Sequence, residues 1–377
     1  NYHKRGRMNK KMILKILSVS ILVLAITGCT EKQKNKKEVH DKVVGNESVI
    51  VNSENEEDIV FYVDDLDNLH LEEEFKISNY YIRNKVTLLN HYYIDADHVL
   101  WGTGRNNCLQ MGLINEDDID NLEPVYYDVK IAENVVHVDC SVNGYFMIYL
   151  TEKGELYGVG ANLNGVLCEP VNADDLLNPW MNLISQPKLL MEDVTYARSG
   201  RESITALKDD GSVWWWGQFL STSLTKQTQT YMENQNPQLM LEGAIYATCG
   251  DIGAATITKD GELFTWGCNT WGQCGVACGP DDYMRNAVKA ADNVKMVWLE
   301  NLEFDTTNLN WSENMIMDYN NHYDYNTFIQ RRDGNLMACG IGLGKEKKTV
   351  EIYGDLYEEK SSIYSSEFLP ISIREKP

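Results

Sequence analysis

The sequence has few histidines, and its cations are outnumbered by its anions. Its seven histidines form no ligand pair, and it holds neither a nucleophile-elbow motif nor a phosphate-binding loop. The pattern therefore predicts that the protein is not an enzyme. Cations are also scarce, because 34 lysines and arginines stand against 56 acidic residues and the formal net charge is −22. This deficit argues against nucleic acid as a partner, since phosphate binding needs basic surfaces.

One apolar run near the N-terminus is typical of an export signal. Basic residues precede the run Ile16–Ile26, which is too short for a membrane span and long enough for a signal peptide. The run ends in Ile26-Thr27-Gly28-Cys29, which resembles a bacterial lipobox. The resemblance implies that residues 1–28 are removed and that Cys29 receives fatty acyl chains such as palmitate. An uncleaved N-terminal anchor is the alternative.

Residues 29–57 are expected to form a flexible tether between this anchor and the rest of the chain. The stretch Thr30–Glu38 is polar, lacks aromatic residues and cannot bury a core. Removal of residues 1–28, which carry six cations and no anions, takes the net charge from −22 to −28. A charge of this size favours solubility outside the cell and cationic partners.

A segment that ends in glycine recurs five times along the chain. Each copy has a turn, a short apolar strand, a large apolar or aromatic residue and a closing glycine: Asp97–Gly104, Lys153–Gly160, Asp210–Gly217, Asp260–Gly267 and Asp333–Gly340. The closing glycines are 56, 57, 50 and 73 residues apart. Such a period indicates a repeat architecture, and repeat scaffolds usually carry binding surfaces.

Further strands are predicted upstream of each copy. Apolar residues alternate along Val135–Leu150, Val194–Leu207 and Ala244–Ile257, as expected of strands. A strand that begins at a proline precedes each of these segments, at Pro124, Pro187 and Pro237. We expect this proline-led strand to open each unit, so that a unit holds four strands.

The fourth copy carries the clearest family resemblance. Lys259–Gly275 resembles the regulator-of-chromosome-condensation repeat, whose pattern runs Asp-Gly-x-Val/Leu-x-x-Trp-Gly-x-Asn-x-x-Gly-Gln-Leu-Gly, and departs from it mainly by Cys274. Other copies follow it more loosely or lack the Asn and Gly-Gln end. The resemblance covers about residues 75–345. It implies an all-β fold, a β-propeller of four-stranded blades within residues 58–377, with five clear repeats and up to seven blades.

The C-terminus offers a means of closing such a propeller. Phe368–Ile373 is similar to the proline-led strands, and the first unit, which begins near Phe75, lacks one. We therefore expect residues 368–373 to complete the blade built mainly from residues 75–104. A ring closed in this way has no exposed sheet edge.

The cysteines give little support to a metal site. Cys268, Cys274 and Cys278 are close in sequence, but no histidine is near and the spacing is not that of a paired Cys-x-x-Cys site. We predict no metal and no cofactor, and a Cys274–Cys278 disulfide stays open. Cys140 and Cys249 hold one repeat position in different units, so we expect separate buried thiols.

The widest repeat spacing contains an insertion at about residues 300–325. It holds aromatic residues among Asp and Asn, a composition similar to that of antibody binding loops: Trp311, Tyr319, Tyr323 and Tyr325. A loop that exceeds its repeat often binds a ligand. The alternative is a tolerated surface loop without a binding role.

Trp214-Trp215-Trp216 is a second candidate binding site. Alternate residues of a strand face opposite ways, so Trp215 points away from its two neighbours. One side is expected to lie in the core, and the other is a candidate aromatic platform for glycan or protein. Burial of all three side chains is the alternative.

These features predict an extracytoplasmic propeller that is anchored in the cell membrane by lipid on Cys29 and binds a protein ligand. A carbohydrate or cell-wall module is one alternative. An inhibitor of an extracellular enzyme is another, by fold-level analogy with a propeller β-lactamase inhibitor. We expect no GTPase partner, although nuclear members of the family have one, because an exported chain does not meet a cytosolic GTPase.

Overall fold

A computed structural model gives the structure of most of the chain after the predicted tether. The described residues are 59–63, 75–87, 90–112, 124–141, 144–171, 182–218, 235–250, 253–269, 271–277, 283–299, 326–350 and 360–375.

The described residues form strands and two short 3₁₀ turns, Ile77–Tyr80 and Leu163–Gly165. None of the helices in this part of the chain is long and apolar enough to span a membrane. The strands are β1 (Ile59–Val63), β2 (Asn84–Val86), β3 (Asn90–Ile94), β4 (Leu100–Gly104), β5 (Val125–Ala132), β6 (Val135–Cys140), β7 (Phe146–Thr151), β8 (Leu156–Ala161), β9 (Leu183–Met191), β10 (Val194–Ser199), β11 (Glu202–Lys208), β12 (Val213–Gln218), β13 (Gln238–Leu241), β14 (Ala244–Cys249), β15 (Gly253–Thr258), β16 (Leu263–Cys268), β17 (Tyr283–Ala291), β18 (Val294–Leu299), β19 (Asn326–Arg331), β20 (Leu336–Val350) and β21 (Lys360–Glu375).

These strands form five sheets in which the strands follow one another in chain order. Blades 1 to 4 are the four-stranded sheets β2–β5, β6–β9, β10–β13 and β14–β17, and blade 5 holds β18–β21 with β1 added at its edge. All neighbouring pairs within β2–β21 are antiparallel. The all-β propeller class with four-stranded blades, which the resemblance to the repeat family implied, is confirmed.

The position of the proline-led strands differs from the prediction. Pro124 directly precedes β5, the last strand of blade 1, and Pro187 lies within β9, the last strand of blade 2. These strands therefore close the blade of the preceding glycine signature instead of opening the next unit. The reason is that each chain segment turns back on the strand it has just left, which pairs β8 with β9 and β4 with β5.

The expectation for residues 368–373 is wrong for the same reason. In β21, Leu369 pairs with Ala338 and Pro370 with Met337, so this segment completes the last blade and not the first. Blade 1 lacks no strand, because β5 supplies its fourth. When each proline-led strand is assigned to the end of its unit, the C-terminal strand holds the same position in blade 5 that the other proline-led strands hold in their blades.

β1 adds a fifth strand to blade 5 and joins the two ends of the described chain. It runs parallel to β21, from Ile59 opposite Ile371 to Val63 opposite Glu375. The pairing starts directly after Pro370, which has no N–H to give to a neighbouring strand.

The core lies between blades, where the face of one sheet packs on the next. One apolar cluster joins blades 2 and 3, with Phe146 and Ile148 on one side and Ile204 and Trp216 on the other. A second joins blades 3, 4 and 5 through residues such as Trp215, all less than 10% exposed. Burial of each aromatic or branched side chain of this size stabilises the folded state by about 1.5–3 kcal/mol.

The closing glycine is required where two strands of a blade approach closely. At Gly217 the backbone φ is +92°, and an added Cβ would stand 2.3 Å from the carbonyl O of Glu202 and 2.7 Å from the Cα of Ser203. Both of these atoms belong to the backbone of the neighbouring strand, so no side chain can move aside.

We predict that Gly217→Ala lowers the free energy of unfolding by about 3 kcal/mol, from left-handed strain and steric overlap together. Gly243→Ala is the matched control, because Gly243 has a φ of +77° and nothing within 4 Å of an added Cβ. The control should cost only about 1 kcal/mol. Urea unfolding of both variants measures the difference. Equal losses would show that the close backbone approach at Gly217 does not matter.

Candidate functional site

The sequence-predicted binding residues lie mainly outside the described part of the chain. This holds for Cys29, the predicted lipidation site, and for Trp311, Tyr319, Tyr323 and Tyr325 of the insertion. Their roles stay predictions. The structure describes instead the frame in which the insertion begins and ends.

The insertion belongs to one end of blade 5. Because neighbouring strands are antiparallel, the link from first to second strand and the link from third to fourth strand lie at the same end of a blade. We call this end the loop face and the opposite end the turn face. The first link covers residues 200–201 in blade 3 and 250–252 in blade 4, whereas in blade 5 it covers 300–325.

Blade 4 supports the root of the insertion. Leu299 and Thr327 form the last pair of the β18–β19 ladder, so the two ends of the insertion are side by side. The Thr327 hydroxyl is buried and donates a hydrogen bond of 2.6 Å to the carbonyl O of Gln273, in the turn after β16. The insertion therefore begins and ends on strands that are fixed by the neighbouring blade.

The turn after β16 contains the Asn and Gly-Gln end of the repeat, and its asparagine is structural. Asn269 Oδ1 accepts from the N–H of Cys274 at 2.9 Å, and its Nδ2 donates to the carbonyl O of Val276 at 3.0 Å. Asn106 bridges Met111 and Gly112, and Asn162 bridges Leu167 and Glu169, in the same manner. The repeated asparagine satisfies the backbone of a turn and is not a ligand-binding residue.

The same turn packs against the last strand of blade 5. At Gly272, where φ is +74°, an added Cβ would stand 2.7 Å from the carbonyl O of Ser365. The Trp271 ring makes an edge contact with the Tyr364 ring at 6.4 Å. Gly272, which matches the family pattern, and the adjacent Trp271 thus contact the loop-face side of β21.

An extended hairpin, which the sequence analysis missed, projects from this side. β20 and β21 remain paired beyond Gly340, with Glu346 opposite Tyr364 and Val350 opposite Lys360. We call residues 341–350 and 360–364 the blade 5 arm. One signal of it was in the sequence: after Gly340 no Asn-x-x-Gly-Gln turn follows, and residues 341–367 separate that glycine from the proline-led strand. Blade 5 therefore carries both the insertion and the arm on one face.

Two buried polar atoms line a small cavity between blades 4 and 5 at the root of the insertion. Gln273 is 5% exposed and Asn326 is 4% exposed. Among the described residues, neither Gln273 Nε2 nor Asn326 Oδ1 has a hydrogen-bond partner. The cavity has a volume of about 10 Å³, the space of a single small polar group. Each of these two residues therefore has one buried polar atom without a partner at the root of the insertion.

The structure does not support Trp215 as an exposed platform. Its side chain is only 3% exposed and belongs to the apolar cluster between blades 3 and 4. Trp216 is fully buried on the opposite side, where its indole N–H donates to the carbonyl O of Val166 at 2.8 Å. Burial between blades, the alternative interpretation, describes both residues, because each face of β12 is covered by a neighbouring blade.

The cysteines of the described residues are free thiols. Cys140 and Cys249 are both buried, as expected from their shared repeat position. Burial raises the pKa of Cys249 to about 12, which leaves it unreactive. Within the described ranges no group of three His, Cys, Asp or Glu side chains is arranged to hold a metal. Cys278 lies outside these ranges, so a disulfide with Cys274 stays a prediction.

A short segment before blade 1 packs against the first strands of three blades. Phe75 and Tyr80 both contact the ring of Tyr246, at 6.0 and 5.5 Å, and Tyr81 stacks on Tyr196 at 6.4 Å. Tyr196 and Tyr246 hold the same position in β10 and β14, the third residue of the strand. His137 holds this position in β6. The repeat thus creates an aromatic row that this segment covers.

His137 ties the covering segment to the row. Its Nδ1 accepts a hydrogen bond of 2.8 Å from the N–H of Ile82, and its Nε2 lies 2.7 Å from the carbonyl O of Ala197. The ring is therefore neutral with its proton on Nε2, because only this tautomer satisfies both partners. Full burial lowers the pKa of His137 to about 4, since desolvation disfavours the charged ring.

Asp139 joins blades 1, 2 and 3 through ion pairs. The fully buried carboxylate lies 3.1 Å from Lys85 Nζ and 2.9 Å from Arg198 Nε, and it accepts from the N–H of Ser199 at 3.0 Å. Burial alone would raise the pKa of Asp139, but the two cations outweigh it and hold the pKa well below its usual range. Both oxygens have partners, so this is a structural centre and not a reactive acid.

A groove lies on the turn face between blades 2 and 3. It has a volume of about 370 Å³, and its lining includes Tyr81, Glu152, Asp193 and Asp209. Asp193 pairs with Lys208 at 3.5 Å. None of the residues that line the groove is a binding residue predicted from the sequence, and their acidic side chains have no arrangement that specifies a ligand.

We predict a pH dependence of stability that comes from His137. Its pKa is lowered from 6.5 to about 4 on folding, so its contribution is complete above pH 6.5 and is lost as the pH falls from 6.5 to about 4. The loss amounts to about 3 kcal/mol. His137→Gln should remove this component, because a neutral amide can both donate and accept. His98→Gln is the control and should retain it. Urea unfolding from pH 7 to 4 measures the slopes. An unchanged slope in His137→Gln would contradict the assignment.

Comparison with known proteins agrees with the repeat pattern and the fold. The family model described as "Regulator of chromosome condensation (RCC1) repeat" matches residues 260–287. No curated protein sequence matches the chain. Among solved structures, Prp20p of Saccharomyces cerevisiae is 18% identical over 76% of this chain and 64% of its own, with a TM-score of 0.49. Human WBSCR16 is 17% identical over 67% of this chain and 60% of its own, with a TM-score of 0.46.

Yeast RCC1 (Prp20), solved with Kap60 bound, is 17% identical over 78% of this chain and 65% of its own, with a TM-score of 0.50. The chain thus spans less than two thirds of the length of each of these proteins. At such identity the likeness concerns the fold alone. One repeat of this chain matches the RCC1 repeat model, and its blades share the β-propeller fold of yeast RCC1.

Proposed function

We propose that the chain is a protein-binding propeller whose loop face, at blade 5, carries the binding residues. Support comes from a single observation. β18 and β19 are paired up to Leu299 and Thr327, yet the link between them covers residues 300–325, where blade 3 needs only 200–201. The scaffold does not require this length, so the insertion has a role of its own.

The composition of the insertion supports a protein ligand. Trp311, Tyr319, Tyr323 and Tyr325 stand among Asp and Asn, which suits contact with another protein surface. The blade 5 arm lies on the same face and enlarges the area near the insertion. Binding by a propeller face needs no cofactor and no catalytic group, and we propose neither for this chain.

We further propose that lipid on Cys29 holds the propeller at the outer side of a bacterial cell membrane. The support is the basic and apolar start of the chain and its lipobox-like Ile26-Thr27-Gly28-Cys29. The yeast protein Prp20p was solved together with a study of its binding to Gsp1p and histones. For an exported acidic chain we propose a different protein partner, neither a GTPase nor a nucleic acid.

Deletion of residues 305–325 is predicted to abolish partner capture from a bacterial envelope extract, because the aromatic contacts are removed while Leu299 and Thr327 remain paired. The thermal unfolding midpoint should change by only a few °C, since a shorter link is entropically cheap. Deletion of residues 221–233, from the link between β12 and β13 on the same face, is the matched control and should leave capture intact. Capture that survives the deletion of 305–325 would refute the loop-face assignment.

Cys29→Ser is predicted to abolish incorporation of an alkyne-labelled palmitate and to move the protein from the membrane to the soluble fraction of a bacterial host. The physical reason is that only a thiol accepts the first acyl modification and that a single polar tether has little membrane affinity. Cys140→Ser, a buried thiol in blade 2, is the control. Labelling retained in Cys29→Ser would exclude this anchor.

A further inference from the structure

Blades 2 to 5 bury the side of each sheet that faces the preceding blade. The second and third strands place four side chains on that side, and three of these positions are fully enclosed. None of the side chains at these three positions is more than 5% exposed. They are Met147, Tyr149 and Val159 in blade 2, Ile204, Ala206 and Trp216 in blade 3, Ala254, Thr256 and Trp266 in blade 4, and Thr327, Ile329 and Cys339 in blade 5.

Blade 1 is different at the same positions. His91, Tyr93 and Thr103 are all half-buried, as is Trp101 at the fourth position. Aromatic and polar residues thus replace most of the apolar ones at places that the other blades enclose. We call His91, Tyr93, Trp101 and Thr103 the free face of blade 1.

The adjacent edge strand of blade 1 is also uncovered. Tyr126 is 83% exposed and Tyr127 is 58% exposed. The position of Tyr126 is held by Ser185 in blade 2 and by Ser366 in blade 5. A turn glycine of the preceding blade approaches each of these serines, Gly112 in the first case and Gly272 in the second. In blade 1 that position instead carries a large aromatic side chain in solvent.

Carboxylates border the rings of the free face. The Trp101 indole N–H donates to Asp95 Oδ2 at 2.7 Å, and burial together with the neighbouring Asp128 carboxylate raises the pKa of Tyr93. The rings of His91 and Tyr93 lie 5.5 Å apart, and His91 Nε2 is 2.7 Å from Asn84 Oδ1. The rings are therefore held in place by polar partners at their edges, while the face itself is not enclosed.

This combination fits a guanidinium group better than an apolar surface. An arginine side chain stacks on a Trp or Tyr ring and pairs with a carboxylate at the same time. An apolar partner would have to remove Asp95 and Asp128 from water without compensation. The chain as a whole is also strongly anionic, with 56 acidic residues against 34 basic ones.

We propose that the free face of blade 1 binds an arginine-bearing segment of a partner protein, with Trp101 as the stacking platform and Asp128 as the charge partner. The inference rests on the proposed role as a protein-binding module, but it uses a different surface from the insertion. It names the chemistry of one contact, a guanidinium between an aromatic ring and a carboxylate.

The test measures fluorescence anisotropy of labelled hexa-arginine with the full chain at about 0.15 M salt, which weakens long-range attraction. Hexa-lysine and hexa-glutamate are the comparison peptides. Trp101→Leu keeps the charge and removes the platform, and Asp128→Asn keeps the shape and removes the charge. Phe264→Leu is the matched control, because Phe264 holds the position of Trp101 in blade 4 and is also half-buried.

We expect hexa-arginine to bind more tightly than hexa-lysine and hexa-glutamate not to bind. Trp101→Leu and Asp128→Asn should each weaken hexa-arginine binding about threefold to fivefold, and Phe264→Leu should not. Equal affinity in Trp101→Leu and the unaltered chain would mean diffuse attraction only and would overturn the proposal. A second result would also overturn the proposal: the unaltered chain binds neutral glycans on an array, Trp101→Leu loses this binding, and the unaltered chain shows no preference for hexa-arginine.

Thermal unfolding of each variant separates loss of the face from loss of the fold. The outcome is also separable from that of the insertion. Failure of arginine binding alongside capture that depends on residues 305–325 would leave the loop-face function standing. Arginine binding through Trp101 without such capture would move the protein-binding role to blade 1.

Discussion

Coverage of each sheet by its neighbour is the constraint on which the structure depends. A four-stranded sheet is stabilised by covering its apolar side chains with a neighbouring element. The chain meets this requirement by repetition. Trp216 of blade 3 fills the gap to blade 2 and donates its indole N–H to Val166 there. The closing glycine beside it, Gly217, allows the strands to approach, and the asparagine turns fix the loops that lie over the next blade.

The same constraint explains how far sequence reasoning reached. The Asp-Gly turns, the alternating strands and the closing glycines are local patterns, so they predicted the strands correctly, and the resemblance to the repeat family supplied the propeller class. Assignment of the proline-led strands depended on which neighbour they pair with, and period alone does not decide that. β9 therefore belongs to the blade before it, and the C-terminal strand completes blade 5. β1 was not predicted as part of blade 5, because parallel pairing of distant segments leaves no local signal.

For the candidate sites, composition was a weaker guide than position. Trp215 is a residue type that is common in binding sites, yet it is buried because β12 has a blade on each side. Trp101 belongs to a similar pattern but lies on a face of blade 1 that is only half-buried, and no single motif marks this difference. The arm became visible only from the pairing of β20 with β21. Burial and pairing are properties of the assembled sheets, and they are what the sequence alone does not supply.

The blades at the two ends of the repeat array are thus the ones that depart from the pattern. Blade 5 gains an insertion, an arm and a fifth strand, and blade 1 keeps an open aromatic face, whereas blades 2 to 4 serve as support. The central claim is that a partner protein contacts the loop face of blade 5. Hydrogen–deuterium exchange of the full chain, with and without a captured partner, tests it most directly. The account predicts slower exchange in residues 300–325 and 341–364, with no change in the turns at 152–154 and 209–211. Slower exchange at those turns alone would contradict it.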